Sequence, residues 1–244
     1  RSSAKSTPKK KAKSMTETDL AQIVRRLRDA GRTLVTSHVS PDGDAVGAML
    51  AVYHILSAMR DAEVVCCLDG QVPERYKWLP GADRIRLPGE CSAPFDLAVV
   101  VDVAQLDRVG EAMNLIGDDT EVIVLDHHLE PEPDGDLALV DPGYAATGEL
   151  IIELMDTAGV PLSREIAECA YVALTTDTGS FKYSNTTERS HLIAARLVAT
   201  GLPVADIGRQ VFDEMSAARF RLLTRFVNGV TLLDGGRIAM GTIT

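Results

Sequence analysis

Nowhere in the 244 residues do apolar side chains run on for the ~18 positions that a membrane-crossing helix needs, so no bilayer-spanning role is expected. The first residues also lack the apolar core of a secretory signal, which makes the cytoplasm the expected compartment. Cysteine is sparse: Cys66, Cys67, Cys91 and Cys169 form no CxxC pair and lie in or beside apolar runs. That spacing speaks against a zinc knuckle or a disulfide framework and for buried thiols in a reducing compartment. Positive charge is short too, with 25 Lys and Arg against 35 Asp and Glu, a net charge of −10. Six of the cations (Arg1, Lys5, Lys9, Lys10, Lys11 and Lys13) fall in residues 1–14, where there is no acid, and without them Met15 onward stands at −16. So acidic a body lacks the broad basic footprint by which long nucleic acid is gripped, although a small anion can be held where cations line a pocket. Residues 1–14 are expected to be a basic disordered tail ahead of a natural start at Met15, with a nucleic-acid-binding arm as the sharper alternative.

What is present is ordinary in amount and particular in order. Hydrophobic residues make up 45 % and charged residues 25 %, as in soluble globular proteins, and the length is large for one domain and small for two big ones. "ETDLAQIVRRLRDA" sets Leu20, Ile23, Val24 and Leu27 on one helical face and stops at Gly31. "RTLVTSH" reads as a buried strand, "DAVGAMLAVYHILSAMR" as a helix and "AEVVCCLDG" as a second strand. "FDLAVVVDVA" and "TEVIVLDHH" follow as two more strands joined by a short helical connector. Near-apolar strands alternating with helices predict an α/β fold, a parallel sheet with helices on both faces. From about residue 145 three helices follow, then a helical connection over 204–228. The tail "GVTLLDGGRIAMGTIT" reads as a hairpin turning at Asp234-Gly235-Gly236.

The chemistry gathers at strand ends. The first strand delivers "SHVSPDGD", the third Asp102, the fourth "DHH", and "TTDTGSF" lies further on. Ligands of open parallel sheets bind at the carboxyl ends of the strands, so these groups can converge. For Asp44 alone the bland reading is a helix N-cap. Together His38, Asp42, Asp44, Asp102, Asp126, His127, His128 and Asp177 form a cluster whose carboxylates cannot all stay ionised in a half-dry crevice. Divalent cations resolve that conflict, and mixed oxygen and imidazole donors suit Mn²⁺ or Mg²⁺. The number of donors suggests two ions, the arrangement that clamps an anionic oxygen for in-line attack on phosphorus. Elsewhere His54 reads as a structural helix residue, and His191 belongs to a helix start capped by Thr186 or Thr187. Asp141-Pro142 reads as a turn bordering the pocket, and Lys182 and Arg189 are candidate phosphate contacts.

"HVSPDGDA", "VVVDVA", "DHH" and "TTDTGSF", in that order, resemble the four motifs of the DHH phosphoesterase superfamily. The likeness continues through "SFKYSNTTERSHLIAARLVATG" into the branch of nanoRNases and pAp phosphatases, and covers residues 32–201. The resemblance implies one metal on His38, Asp42 and Asp102, and a second on Asp44, Asp102, His127 and Asp177, with Asp102 bridging. It implies that His128 faces the phosphate as a transition-state stabiliser or proton donor, and that Asp126 orients an imidazole from behind. By the same likeness residues 15–200 would be the DHH catalytic domain and 201–228 a helical linker. Residues 229–244 would be the truncated start of a small α/β substrate-binding domain, whose "GGGH"-type motif does not occur in this sequence. The expected natural protein is longer, with a homodimer through the sheet edge or linker.

The implied activity is a Mn²⁺-dependent phosphohydrolase that removes 5′-mononucleotides from very short RNA and the 3′-phosphate from 3′-phosphoadenosine 5′-phosphate (pAp). A cyclic- or linear-dinucleotide phosphodiesterase is the nearest alternative, and a non-catalytic phosphate-binding module is the rival from another class. Long nucleic acid and membranes are not expected partners.

Overall fold

Runs of β-branched and aliphatic residues become the five strands of one sheet: β1 (Thr33–Thr36), β2 (Val64–Cys67), β3 (Leu97–Val101), β4 (Glu121–Asp126) and β5 (Leu137–Val140). The structure, a computed structural model, describes residues 17–242, and the basic tail expected at 1–14 lies outside the described residues. All five strands are parallel in the order β2-β1-β3-β4-β5. One row of the register runs Cys66, Val35, Val99, Ile123, Leu137. The strand order reverses at β1, so the crevice between the carboxyl ends of β1 and β3 is the switch point where such sheets take their ligands.

Both faces are covered, which is why the strands are apolar throughout rather than alternating. On one face Leu34, Cys67, Ala98, Val100 and Val124 pack against Leu106, Val109, Ala112 and Leu115. That cover is a run of 3-10 turns over Leu106–Leu115, broken at Gly110 with φ +71°, where a helical connector is expected from the sequence. The helices α1 (Glu17–Asp29), α2 (Gly43–Met59) and α3 (Thr147–Ala158) approach the sheet from the other side. α2 is apolar around its whole circumference because it lies between the sheet and α4 (Arg164–Asp177). Gly47 permits that approach: a Cβ there would lie 2.5 Å from the Cys169 carbonyl oxygen. α5 (Glu188–Val198) starts on Thr187, whose side chain accepts the Ser190 N–H, and α6 (Val204–Gly208) follows Pro203.

Residues 205–244 form a second compact unit. It contains α7 (Ala217–Asn228) and an antiparallel hairpin of β6 (Thr231–Leu233) and β7 (Ile238–Met240), which turns at Asp234-Gly235-Gly236. All three turn residues have positive φ (51°, 65° and 89°), which explains the two glycines. Among the described residues no helix is long and apolar enough to cross a membrane. All four cysteines are free thiols, with Cys91 the one that is not buried.

Candidate metal centre

The ends of β1 and β3 are fastened together where Ser37 Oγ donates to the Val101 carbonyl at 2.7 Å. The next residue on β3's side, Asp102, sits in the left-handed region at φ +59°. A short polar side chain tolerates that conformation best, and strain of this kind is typical of working sites. After β1 the chain turns into α2 through Asp42, whose Oδ1 accepts the N–H groups of Asp44 (3.0 Å) and Ala45 (3.1 Å). The N-cap is therefore Asp42, and Asp44 has another task. Asp44 is completely buried, and its two oxygens take the N–H groups of Thr147 (2.6 Å) and Gly148 (2.9 Å) at the start of α3. A helix N-terminus is a favourable seat for a carboxylate that water cannot reach.

Three sets of donor atoms gather here, each with its atoms within 4.8 Å of one another: His38, Asp42 and Asp102; Asp44, His127 and Asp177; Asp102, His127 and His128. His38 Nε2 is 3.6 Å from Asp102 Oδ2, while its Nδ1 lies 2.8 Å from the Val39 carbonyl oxygen. His127 Nε2 is 3.1 Å from Asp177 Oδ2, 3.6 Å from Asp44 Oδ2 and 3.8 Å from Asp102 Oδ1. Its Nδ1 lies 3.3 Å from the Tyr144 carbonyl oxygen. A carbonyl can only accept, so each ring carries its proton on Nδ1 and turns the lone pair of Nε2 toward the carboxylates. His127 Nε2 is buried and makes no hydrogen bond. A lone pair surrounded by three carboxylates and bonded to nothing fits a cation, with the carbonyl behind the ring fixing its orientation.

His128 and Asp126 are arranged differently. Asp126 is buried and its Oδ1 accepts from the His127 N–H (2.8 Å), the His128 N–H (3.1 Å) and His128 Nδ1 (2.8 Å). It belongs to none of the three donor sets and holds the half-exposed His128 ring from behind. That hydrogen bond, reinforced by the charge of Asp126 and Asp102 and opposed by burial, pushes His128 up to about 9. The neighbouring Asp102 carboxylate likewise raises His38, against burial. Burial works against the charged form of His127, yet Asp177 and Asp102 raise it on balance. Burial also drives Asp44 and Asp102 upward, aided at Asp44 by the negative charge of Asp102 and Asp177 and resisted by the backbone N–H groups it accepts. Burial and mutual repulsion thus favour the protonated forms in this cluster, and a cation would compete with those protons.

Several supporting residues carry no signal in the sequence. Thr147 Oγ1 donates to Asp102 Oδ1 at 2.9 Å, so the start of α3 touches both Asp44 and Asp102. Tyr144 acts through its main-chain carbonyl, which any residue could supply. The segment "GYAATGE" was legible only as a turn beside the pocket, and Asp141 does make one by accepting the Gly143 N–H at 2.8 Å. Arg189 donates to the Gly143 carbonyl, lies 3.4 Å from the buried Glu149 and sits 4.2 Å over the Tyr144 ring, with 42 % of its side chain exposed. Lys182 is exposed. His54 Nε2 lies 2.9 Å from the Pro80 carbonyl oxygen, a structural contact, and His191 stacks on Phe181 in the first turn of α5.

Fold and site together define an α/β protein with a cluster of carboxylates and imidazoles, a candidate cation site, at its switch point. The DHH family, N-terminal domain, matches residues 32–174, more than half of the chain, and the chain belongs to that family. It is 32 % identical over 209 residues to the bifunctional oligoribonuclease and PAP phosphatase NrnA of Thermus thermophilus, covering 84 % of this chain and 61 % of the relative. The NrnA of Bacillus subtilis is 25 % identical over 195 residues, 79 % of this chain and 60 % of the relative. Among solved structures, an exopolyphosphatase-related protein from Bacteroides fragilis superposes with a TM-score of 0.82 at 29 % identity, covering 89 % of this chain and 66 % of the other. The chain thus spans about three fifths of the length of the curated relatives it matches.

Proposed function

We propose that this chain carries the catalytic site of a divalent-metal phosphohydrolase that acts on short RNA oligonucleotides and on pAp. The observation that carries the reading is the buried, orphaned Nε2 atom of His127 among the carboxylates of Asp44, Asp102 and Asp177. Kinship with the NrnA proteins, named as oligoribonucleases and PAP phosphatases, supports the substrate class. In this reading His38, Asp42 and Asp102 hold one ion, Asp44, Asp102, His127 and Asp177 the other, and the preferred metal is Mn²⁺ with Mg²⁺ as the substitute. Two such ions, when bound, neutralise phosphate oxygens and make a water easier to ionise.

The chain's own groups do the rest. The N–H groups opening α3 keep Asp44 in place, and the Nδ1–H bonds of His38 and His127 fix which nitrogen each offers. Asp126 anchors His128 by Nδ1, leaving Nε2–H to meet the phosphate and to give a proton to the leaving oxygen. The exposed edge of Arg189 is assigned to the anionic substrate. Residues 15–200 would be the catalytic domain, 201–228 the linker and 229–244 the start of a substrate-binding domain.

The test is a Mn²⁺ titration that follows hydrolysis of a dinucleotide, pAp and pyrophosphate side by side. Turnover of the dinucleotide and pAp is expected. Turnover of pyrophosphate alone would reassign the substrate, and turnover of none would leave a phosphate-binding module.

A further inference from the structure

One side chain links the main chain of two of the ligand-bearing segments and lies outside the four motifs. After α4 ends at Asp177, the chain passes three left-handed residues in succession, Gly179, Ser180 and Phe181 (φ 56°, 58° and 63°). The turn closes on its own bonds: Lys182 N–H and Tyr183 N–H donate to the Thr178 carbonyl, and Thr186 N–H to that of Tyr183. Asn185 is not needed to close it. Its Nδ2 instead donates to the Ala145 carbonyl at 2.9 Å, 40 residues away, and to the Asp177 carbonyl at 3.1 Å. Two facing carbonyls can be satisfied only by the amide nitrogen, which fixes the orientation of the side chain. Its Oδ1 is left buried without a partner, a cost that implies the two donated bonds matter.

The location of Ala145 gives those bonds their meaning. On one side is Tyr144, whose carbonyl accepts from His127 Nδ1, and on the other are Thr147 and Gly148, whose N–H groups hold Asp44. Asp44, His127 and Asp177 come from the start of α2, the end of β4 and the end of α4, and they meet through the strap 144–148. We infer that Asn185 is a positioning residue that clamps this strap to Asp177 and so sets the spacing of the second ion's ligands. The inference rests on the proposed reading of Asp44, His127 and Asp177 as ligands of one ion. Of the first ion's ligands only the shared Asp102 is tied to the strap, through Thr147 Oγ1, whereas two of the second ion's ligands, Asp44 and His127, are held by it directly and a third, Asp177, by Asn185, so the larger effect falls on the second site.

The experiment is a calorimetric and electron-paramagnetic-resonance titration of the full chain with Mn²⁺ alone, comparing wild type with Asn185→Leu (similar volume, no donor) and Asn185→Ala. Melting of the metal-free proteins is measured alongside. Wild type is expected to bind two ions. Both variants should weaken one of them about 10–100-fold, the loss typical when a group that orients ligands is removed, and leave the other and the metal-free melting curve close to wild type. Wild-type affinity for both ions in the variants overturns the inference, as does parallel weakening of both sites with a lowered melting point, or failure of both variants to fold. A wild-type chain that binds no Mn²⁺ instead overturns the ligand reading beneath it.

Discussion

At the scale of single residues the site depends on which atom of each side chain is already committed. Asp102 offers one oxygen toward His38 and the other toward His127 and Thr147, in a backbone conformation that asparagine also accepts. Asp102→Asn therefore keeps shape and backbone but removes the charge that two ions would share in the proposed reading. Turnover is expected to fall below about one hundredth of wild type, more than the ~10–100-fold loss typical of groups that only orient a ligand. The metal-free melting point should hold or rise, because a repelling carboxylate has left a buried cluster. Asp102→Ala and His127→Ala should likewise abolish turnover with little loss of fold, and wild-type rates in either would refute the ligand assignment. The cysteines make a separate test. Burial pushes the Cys66 thiol up to about 12 and raises those of Cys67 and Cys169 as well. Iodoacetamide at mildly alkaline pH should label Cys91 and spare the other three, as read by peptide mass spectrometry. The histidines and aspartates were legible in the sequence because ligand-type side chains in an apolar setting stand out. Asn185 and Thr147 were not, because they act on partners far away in the chain and their residue types are common in turns.

At the scale of elements, close approach decides what glycine is for. Gly47 faces main-chain atoms of α4, where a Cβ would come within 2.5 Å of the Cys169 carbonyl oxygen and 2.9 Å of the Ala173 nitrogen. Gly47→Ala should cost about 1–3 kcal/mol in urea unfolding, the usual scale for overpacking. Gly117→Ala, whose nearest neighbour would be Thr120 Oγ1 at 3.8 Å, should stay within about 0.5 kcal/mol. Equal stability of the two variants would show that α2 and α4 can separate without loss. Here the sequence was readable where an element is long or repeats its pattern. Four strands and the helices α1 to α5 follow from apolar runs and caps. β5, "LALV", is set between the turn-forming "EPDGD" and "DPG", which mask it as part of a loop, and it becomes a strand by pairing with β4. The cover over Leu106–Leu115 carries helical spacing, yet Gly110 breaks it into 3-10 turns.

At the scale of the whole molecule, charge sets what can approach. A net charge of −10 works against the binding of long nucleic acid, whereas a site with bound cations would attract one or two phosphates. Hydrolysis of a dinucleotide should therefore not be competed by a long single-stranded RNA at low salt. Tight binding of the long strand, falling steeply with added salt, would contradict this.

The amino-acid sequence by itself determined the class of fold and the kind of chemistry. Apolar runs of strand length must be buried on both faces, and carboxylates with imidazoles placed at their ends require a counter-charge. The tertiary structure decided the division of labour: Asp42 caps a helix, Asp44 is buried against another helix's N-terminus, and Asp126 stands behind His128. It alone also joined Asn185 to Ala145. Composition and spacing encode which groups must leave water, but hydrogen-bond partners 40 or 100 residues apart are chosen only when packing has brought the segments together.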